Sequence, residues 1–262
     1  MGIVSKIWGW MKLYKNWYIR LFEYRILKDG IIQYKLRNGI NFIAQSGYED
    51  SGTVEEIWGR NVYCPKSFEI TNGNTVLDLG AQKGIFSLFA ATRGKDVNVY
   101  SYEPCPNSAA IMRINTLINK NKLGNSSIKI RECAVTGKRG EREMFCFNNN
   151  TGFSGFYNEK PKKDGEWAKV KCTTLKDIFQ MEKIKFCDFL KMDVEGSEYE
   201  ILENAPENIL KRIGLISMEY HSGKKKLSEI LKDHFDIIFA NPLTSTTKNH
   251  GFIYAKNKSM RN

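Results

Sequence analysis

Nothing in the 262 residues approaches the ~18 consecutive apolar positions of a membrane-spanning helix, and no uninterrupted apolar stretch resembles a signal-peptide core. A cytoplasmic protein is expected. Gly2 follows Met1, but the position that N-myristoylation wants as Ser or Thr is Lys6, so that anchor is excluded. The six cysteines, at 64, 105, 133, 146, 172 and 187, include no Cys-x-x-Cys pair, which argues against zinc and against a redox dithiol. Free thiols in a reducing compartment are the expectation. No disorder-like composition dominates, and there are only three histidines.

What is present is a 42% apolar chain long enough for one large α/β domain with an appendage. The formal net charge of +11 raises an acidic partner such as nucleic acid, an anionic membrane face or an acidic glycan. Lys and Arg are nevertheless spread along the chain, with Lys224-Lys225-Lys226 as the triplet, so a merely lysine-rich surface is the plainer reading.

The chain is organised around residues 75–87, Thr-Val-Leu-Asp-Leu-Gly-Ala-Gln-Lys-Gly-Ile-Phe-Ser. Val76, Leu77 and Leu79 read as a buried parallel strand, Gly80 and Gly84 allow a tight turn, and Ile85 to Ala91 open an apolar helix. A ligand belongs over that turn, at the carboxyl end of the strand. Asp78 precedes Gly80 and the middle glycine of a Gly-x-Gly-x-x-Gly fingerprint is absent, so a carboxylate stands where a pyrophosphate would be repelled. A cationic ligand without phosphate suits it, and S-adenosylmethionine carries an ammonium and a sulfonium. A second strand-like run, Val97 to Tyr102, ends at Glu103, 25 residues after Asp78, where a carboxylate grips ribose hydroxyls in nucleotide-binding α/β folds.

With Asp78, Gly80, Gly84 and Glu103 in place, the chain resembles the class I S-adenosylmethionine-dependent methyltransferases. The stretch 188–202 resembles the Lys-x-Asp-x-Glu-Gly-x-Glu signature of their FkbM-type family through Lys191, Asp193, Glu195, Gly196 and Glu198. The likeness runs from about Thr75 onward and more weakly from about Tyr34. It implies an α/β fold with a Rossmann-like seven-stranded sheet, mostly parallel with the last strand antiparallel, helices on both faces, and an N-terminal helical and hairpin extension. The expected division is an extension over residues 1–72 and a methyltransferase domain over 73–262. Ala81 and Pro104 flank the two cofactor-binding turns, and Ala134-Val135 follows the third strand, where the family commonly lines the adenine pocket.

Residues 1–28 interleave Trp8, Trp10, Tyr14, Trp17, Tyr18, Phe22 and Tyr24 with Lys6, Lys12, Lys15, Arg20, Arg25 and Lys28. That suits a membrane interface, yet the charges scatter around a helical wheel, so packing on the catalytic domain or a second subunit competes with peripheral attachment. Arg37-Asn38-Gly39 signals a hairpin between Ile31 and Gln45, and Thr53 with Glu56 signals a capped short helix. Pro104-Cys105 is not a cytosine-methyltransferase nucleophile, because it follows the second strand. Asn241-Pro242-Leu243 lacks the second proline and aromatic of an amino-methylating tetrapeptide and reads as a turn. The polar loop from Asn148, between two extra strands, is a candidate substrate lid with Phe153, Ser154 and Tyr157 as contacts.

Methyl transfer to a hydroxyl needs alignment and removal of a proton. Asp193 and Glu195 end the fourth strand, and Glu219 and His221 the fifth, so both pairs can converge on an acceptor. Asp193, Glu195 and His221 are the catalytic candidates, Asp193 alternatively holding the methionine amine; Ser154, Lys191 and Glu219 are the candidates for substrate contact. Asp193, Glu195, Glu219 and His221 offer oxygen and nitrogen ligands for a divalent metal of the kind that some small-molecule O-methyltransferases use to acidify hydroxyls, but no decisive metal-ligand spacing occurs, so no metal is expected. The resemblance implies an O-methyltransferase acting on a sugar, a glycan or another small molecule. An RNA or DNA methyltransferase using the basic surface, and a non-enzymatic binding module, are the rival readings.

Overall fold

The computed structural model describes residues 3–26, 30–45, 50–147, 154–157, 159, 161, 165–240 and 250–261. Two helices come first, α1 (Ile3–Leu13) and α2 (Ile19–Ile26), and neither buries a clean face. Trp10, Leu13, Trp17 and Ile19 are partly buried against the core and Tyr14 is fully buried, while Ile3, Val4, Trp8, Tyr18 and Phe22 stay exposed. The hairpin forms as its turn predicts, with β1 (Ile31–Lys35) antiparallel to β2 (Asn41–Gln45) and Gly39 at φ +92°. Tyr34 and Phe42 from the hairpin share one core with Val76, Phe86 and Phe189 further on. The next helix, α3 (Asp50–Val54), begins at Asp50 and runs into a π-helical turn over Glu55–Gly59. Thr53 therefore lies inside the helix and does not cap it. Asp50 is buried and ion-paired with Lys83, whose Nζ lies 2.7 Å from Oδ1.

The main sheet and its helices start with β3 (Thr75–Leu79), α4 (Ile85–Ala91), β4 (Asn98–Tyr102) and α5 (Pro106–Ile118), followed by β5 (Ser127–Arg131). Then come β6 (Ala134–Val135), β7 (Gly140–Phe147), β8 (Gly165–Thr173) and α6 (Leu175–Met181). The last part comprises β9 (Cys187–Met192), α7 (Glu198–Glu203), α8 (Glu207–Leu210), β10 (Ile213–Tyr220), α9 (Lys225–Leu231), β11 (Phe235–Ala240) and β12 (Gly251–Asn257). The main sheet has seven strands in the order β11-β12-β10-β9-β3-β4-β5, with β12 antiparallel to both neighbours and the β10-β9-β3-β4-β5 pairings parallel. This is the architecture that the resemblance implied. Side chains alternate across each strand, so Val76 and Phe189 face α4 and the extension, while Leu77, Leu79 and Leu190 face α6 to α9.

Two asparagines join the extension to the domain. Asn115 on α5 and Asn119 at its C-terminal cap are fully buried, and each side-chain amide bonds both the N–H and the C=O of one β2 residue, Ile43 and Asn41 respectively, at 2.7–3.1 Å. Helix α5 thus presents a strand-like edge to β2. Asn115→Leu leaves those buried backbone groups unsatisfied, and a stability loss of about 2–4 kcal/mol is expected in urea denaturation. A loss below about 1 kcal/mol would show that β2 is held by its apolar packing alone.

The two extra strands pair as β7 with β8, and β6 joins them in a separate three-stranded sheet. That sheet folds back over the loop after β4 and brings Cys146 to Cys105, 41 residues away in sequence, at a Cα separation of 5.8 Å. The two form a disulfide, which corrects the expectation of six free thiols; Cys64, Cys133, Cys172 and Cys187 are free. Phe153 and Asn241-Pro242-Leu243 lie outside the described residues. Among the described residues, no helix is long and apolar enough to cross a membrane.

Candidate active site

The glycine turn after β3 is where three strand ends meet. Gly80 has φ +76°, and a Cβ there would lie 1.7 Å from the carbonyl oxygen of Asp193 at the end of β9. The N–H groups of Gly80 and Ala81 both donate to the Tyr102 carbonyl at the end of β4, each at 3.0 Å. Only glycine permits so close a crossing of backbones. Gly84, at φ +80°, allows a different contact, since its missing Cβ makes room for Met112 on α5. It packs helix on helix and does not line the cleft.

Asp78 and Lys191 are bound to each other beneath the turn. They are register partners on β3 and β9, so alternation puts both on the α4 face, beneath the turn. Asp78 is fully buried and accepts the Ser87 hydroxyl, and its Oδ1 lies 3.3 Å from Lys191 Nζ. Lys191 donates to the Gly80 carbonyl at 2.7 Å. Burial opposes its charge, but Asp78 and then Asp193 outweigh that and keep it protonated. The pair sets the shape of the turn from below; neither residue lines the larger cleft above it, while Lys191 lines a smaller pocket with Tyr63, Gly80 and Asp193.

Above the turn lies a cleft of about 460 Å³, including its open mouth, lined by Gly80, Gln82, Glu103, Pro104, Ala134, Val135, Met144, Ser154, Phe156, Asp193 and Glu195 among others. Glu103 is buried at its base and accepts the N–H groups of Gln82 and Cys105, each at 2.8 Å. Burial pushes its carboxyl up to about 7, against the pull of those two donors. Ser154 lines the wall, but its hydroxyl is already held by the Phe147 N–H at 3.0 Å. Among the described residues no lysine or arginine lines the cleft, which suits a ligand without phosphate. Glu103 for ribose hydroxyls, Asp193 for an ammonium, and Ala134, Val135, Met144 and Phe156 for a purine ring make a donor set into which S-adenosylmethionine fits.

The ends of β9 and β10 form a compact acid and imidazole cluster beside this cleft. Glu195 is held at φ +50°, a conformation rare outside glycine, next to Gly196 at φ +101°. The Tyr63 hydroxyl faces two carboxylates, Asp193 Oδ2 at 3.0 Å and Glu219 Oε2 at 3.4 Å. Fully buried Glu198 accepts the N–H groups of Val194 and Gly196, and the same oxygen lies 3.0 Å from His221 Nδ1. The other ring nitrogen, Nε2, faces Glu195 at 3.5 Å and Asp193 at 4.0 Å. Burial alone would lower the His221 pKa, but the Glu198 hydrogen bond and the Glu195, Glu198 and Asp193 charges push it up to about 10. Without a ligand His221 is therefore a charged donor and not the neutral base that three scattered histidines suggest.

Burial, then the Asp193 charge, pushes Glu195 up to about 9 and Glu219 up to about 8. Glu219 is hydrogen-bonded to His250 Nε2, and the His250 ring stacks on His221 with centroids 5.1 Å apart. Sequence reasoning missed both His250 and Tyr63. His250 lies 31 residues after Glu219 and Tyr63 lies 130 before Asp193, so no local spacing announces either.

A seven-stranded sheet with one reversed strand and a phosphate-averse cleft over its first glycine turn defines a methyltransferase of the S-adenosylmethionine-dependent kind. The chain belongs to the methyltransferase FkbM domain family, whose profile matches residues 78–254, and its cofactor is S-adenosyl-L-methionine. It is 25% identical to the 31-O-demethyl-FK506 methyltransferase FkbM of Streptomyces tacrolimicus, aligned over 86% of this chain and 96% of that protein. It is 22% identical to the methyltransferase sdnD of Sordaria araneosa, over 76% and 86% respectively. A crystal structure of methyltransferase FkbM from Methylobacillus flagellatus superposes with a TM-score of 0.51 at 14% identity, over 72% of this chain and 45% of that one. That last likeness concerns the fold.

Proposed function

We propose that the protein moves a methyl group from S-adenosylmethionine to a hydroxyl of a sugar, a glycan or another small molecule. The observation that carries this is the Glu219–His250 pair joined through the Tyr63 hydroxyl to Asp193, which lines the cofactor cleft, so that an acceptor proton has somewhere to go. The cofactor supplies an electrophilic methyl on its sulfonium. Glu103 holds the ribose hydroxyls, and Asp193, oriented by Tyr63, holds the amine end. The Glu219–His250 pair takes the hydroxyl proton, and Tyr63 bridges it to the cofactor side. The Streptomyces relative is named for a 31-O-demethyl substrate, which supports a hydroxyl acceptor. The charge of +11 favours nucleic acid instead, and salt-dependent retention on RNA with methyl incorporation would replace the glycan reading.

Calorimetry of S-adenosylmethionine binding tests the first half. Glu103→Ala removes two charge-assisted hydrogen bonds, so the dissociation constant is expected to rise roughly 30-fold or more. Because burial raises the Glu103 pKa to about 7, the accepting carboxylate is present above that pH and lost below it. Wild-type affinity is expected to fall up to about tenfold per pH unit below 7, and Glu103→Ala to lose that dependence. Folded wild-type protein that binds no cofactor would end the enzymatic reading. Transfer of labelled methyl to a panel of polyols and sugars then tests the acceptor.

A further inference from the structure

The sequence offered no metal-ligand spacing, yet the fold converges three oriented donors on one point. We propose that Asp193, Glu195 and His221 form a binding site for one divalent cation of the Mn²⁺ type at the acceptor end of the cleft. Its place in the reaction rests on the methyltransferase reading; its existence does not.

The distances suit a shared ion. Two ligands each about 2.1 Å from an octahedral centre lie between ~3.0 and ~4.2 Å apart. His221 Nε2 stands 3.5 Å from Glu195 Oε2 and 4.0 Å from Asp193 Oδ1, and the donor atoms of all three residues lie within 4.8 Å of one another.

Each ligand is also held in a ligating orientation. Glu198 Oε1 already accepts two backbone N–H groups, so it acts as an acceptor toward His221 as well and takes the Nδ1 proton. With Nδ1–H engaged there, a cation that displaces the Nε2 proton meets the tautomer whose Nε2 lone pair points at Asp193 and Glu195, the carboxylate–histidine support found behind metal-bound imidazoles. Tyr63 occupies Asp193 Oδ2 and leaves Oδ1 toward His221. Glu195, whose backbone is left-handed, lines the cleft and brings Oε2 to His221 Nε2. A second possible set, Glu219, His221 and His250, is less suited, because Glu219 and His250 are already bonded to each other.

Charge and donor type point the same way. Asp193, Glu195, Glu198 and Glu219 crowd one end of the cleft, while the nearby Lys191 is shared with buried Asp78. Two carboxylate oxygens and one imidazole nitrogen suit Mn²⁺ better than the all-oxygen preference of Mg²⁺ or the thiolate-rich sites of structural zinc. Three protein ligands leave an octahedral ion three further positions, room for an acceptor with two neighbouring oxygens. The substrate class this favours is a vicinal diol or a hydroxyl beside a carbonyl, as sugars provide. The ion orients the reacting hydroxyl; its proton passes to the Glu219–His250 pair as the O–CH₃ bond forms and the S–CH₃ bond of the cofactor breaks, leaving S-adenosylhomocysteine.

The competing account is that His221, as an imidazolium, alone neutralises the two carboxylates. Titration of MnCl₂ into the full chain, followed by electron paramagnetic resonance and calorimetry, separates the two. One Mn²⁺ per chain is expected, with a dissociation constant below about 100 μM that rises at least about tenfold in Glu195→Gln and in His221→Gln. Thermal melting shows that each variant is folded; if His221→Gln is not, Glu195→Gln decides alone. No stoichiometric Mn²⁺ binding by wild type, or binding unchanged in a folded variant, overturns the site. Cofactor binding by wild type, read separately in the same preparation, tells that failure apart from a failure of the methyltransferase reading.

Discussion

His250→Ala is expected to slow methyl transfer by roughly a hundred-fold or more while S-adenosylmethionine affinity stays within about threefold. The reasoning starts from the acceptor. A neutral hydroxyl is a poor nucleophile toward a sulfonium methyl, and its proton must leave as the new bond forms. Glu219 and His250 are hydrogen-bonded to each other, half-buried, and tied through Tyr63 to Asp193, which lines the cofactor cleft. Removing the imidazole removes the group that receives the proton without touching Glu103 or the apolar wall at Ala134 and Val135. Single-turnover rates at saturating cofactor give the chemical step directly. Glu219→Gln keeps the shape of the pair and loses its charge, so it is expected to fall between wild type and His250→Ala. A single-turnover rate for His250→Ala within about threefold of wild type would take this pair out of the chemistry.

The second large effect is expected from Gly80→Ala. The added Cβ meets the Asp193 carbonyl oxygen at 1.7 Å and its carbon at 2.8 Å, and both are backbone atoms that no rotamer change can move. The left-handed φ of +76° adds about 1 kcal/mol for a residue with a side chain. Together these should cost at least about 3 kcal/mol, which for a chain of this size lowers the melting temperature by roughly 8 °C or more. Cofactor binding should suffer more than stability, because the least costly relief is to part β3 from β9 where the ligand lies. Gly73→Ala is the matched control. Its φ is +74°, yet nothing lies within 4 Å of its added Cβ, so only the conformational cost remains. Equal melting temperatures for the two variants would mean that the close crossing at Gly80 is not needed.

The strand-turn-helix at 75–87 was legible because its information is local. A short apolar run, an acid and two glycines suffice to write it, and the same holds for the hairpin turn at Gly39. What escaped was whatever depends on two distant strands. Asp78 looks like a ligand contact on its own, and only its register with Lys191 reveals a buried ion pair. The apolar run that identified β3 described one strand by itself; pairing supplied the rest. His250 escaped because the strand it precedes is inserted between β10 and β11, so its nearness to His221 is set by topology and not by separation along the chain. Cys105 and Cys146 escaped for a like reason, since the sheet that carries Cys146 folds back over the loop after β4. Thr53 was a wrong reading of a helix start, as the helix gains its first turn from Asp50, whose carboxylate is anchored by Lys83.

The reversed strand has a consequence for how the protein is made. Ribosomes deliver chain from the N-terminus at about 5–20 residues per second, and β11 emerges before β12 although β12 lies between β11 and β10 in the sheet. Until β12 threads into that gap, β10 presents an open edge, β11 has no neighbour, and His250 cannot meet Glu219. The cofactor turns of a nascent chain can therefore be assembled while the groove for the acceptor is still missing a wall, so competence to bind the cofactor arises during synthesis earlier than competence to use it.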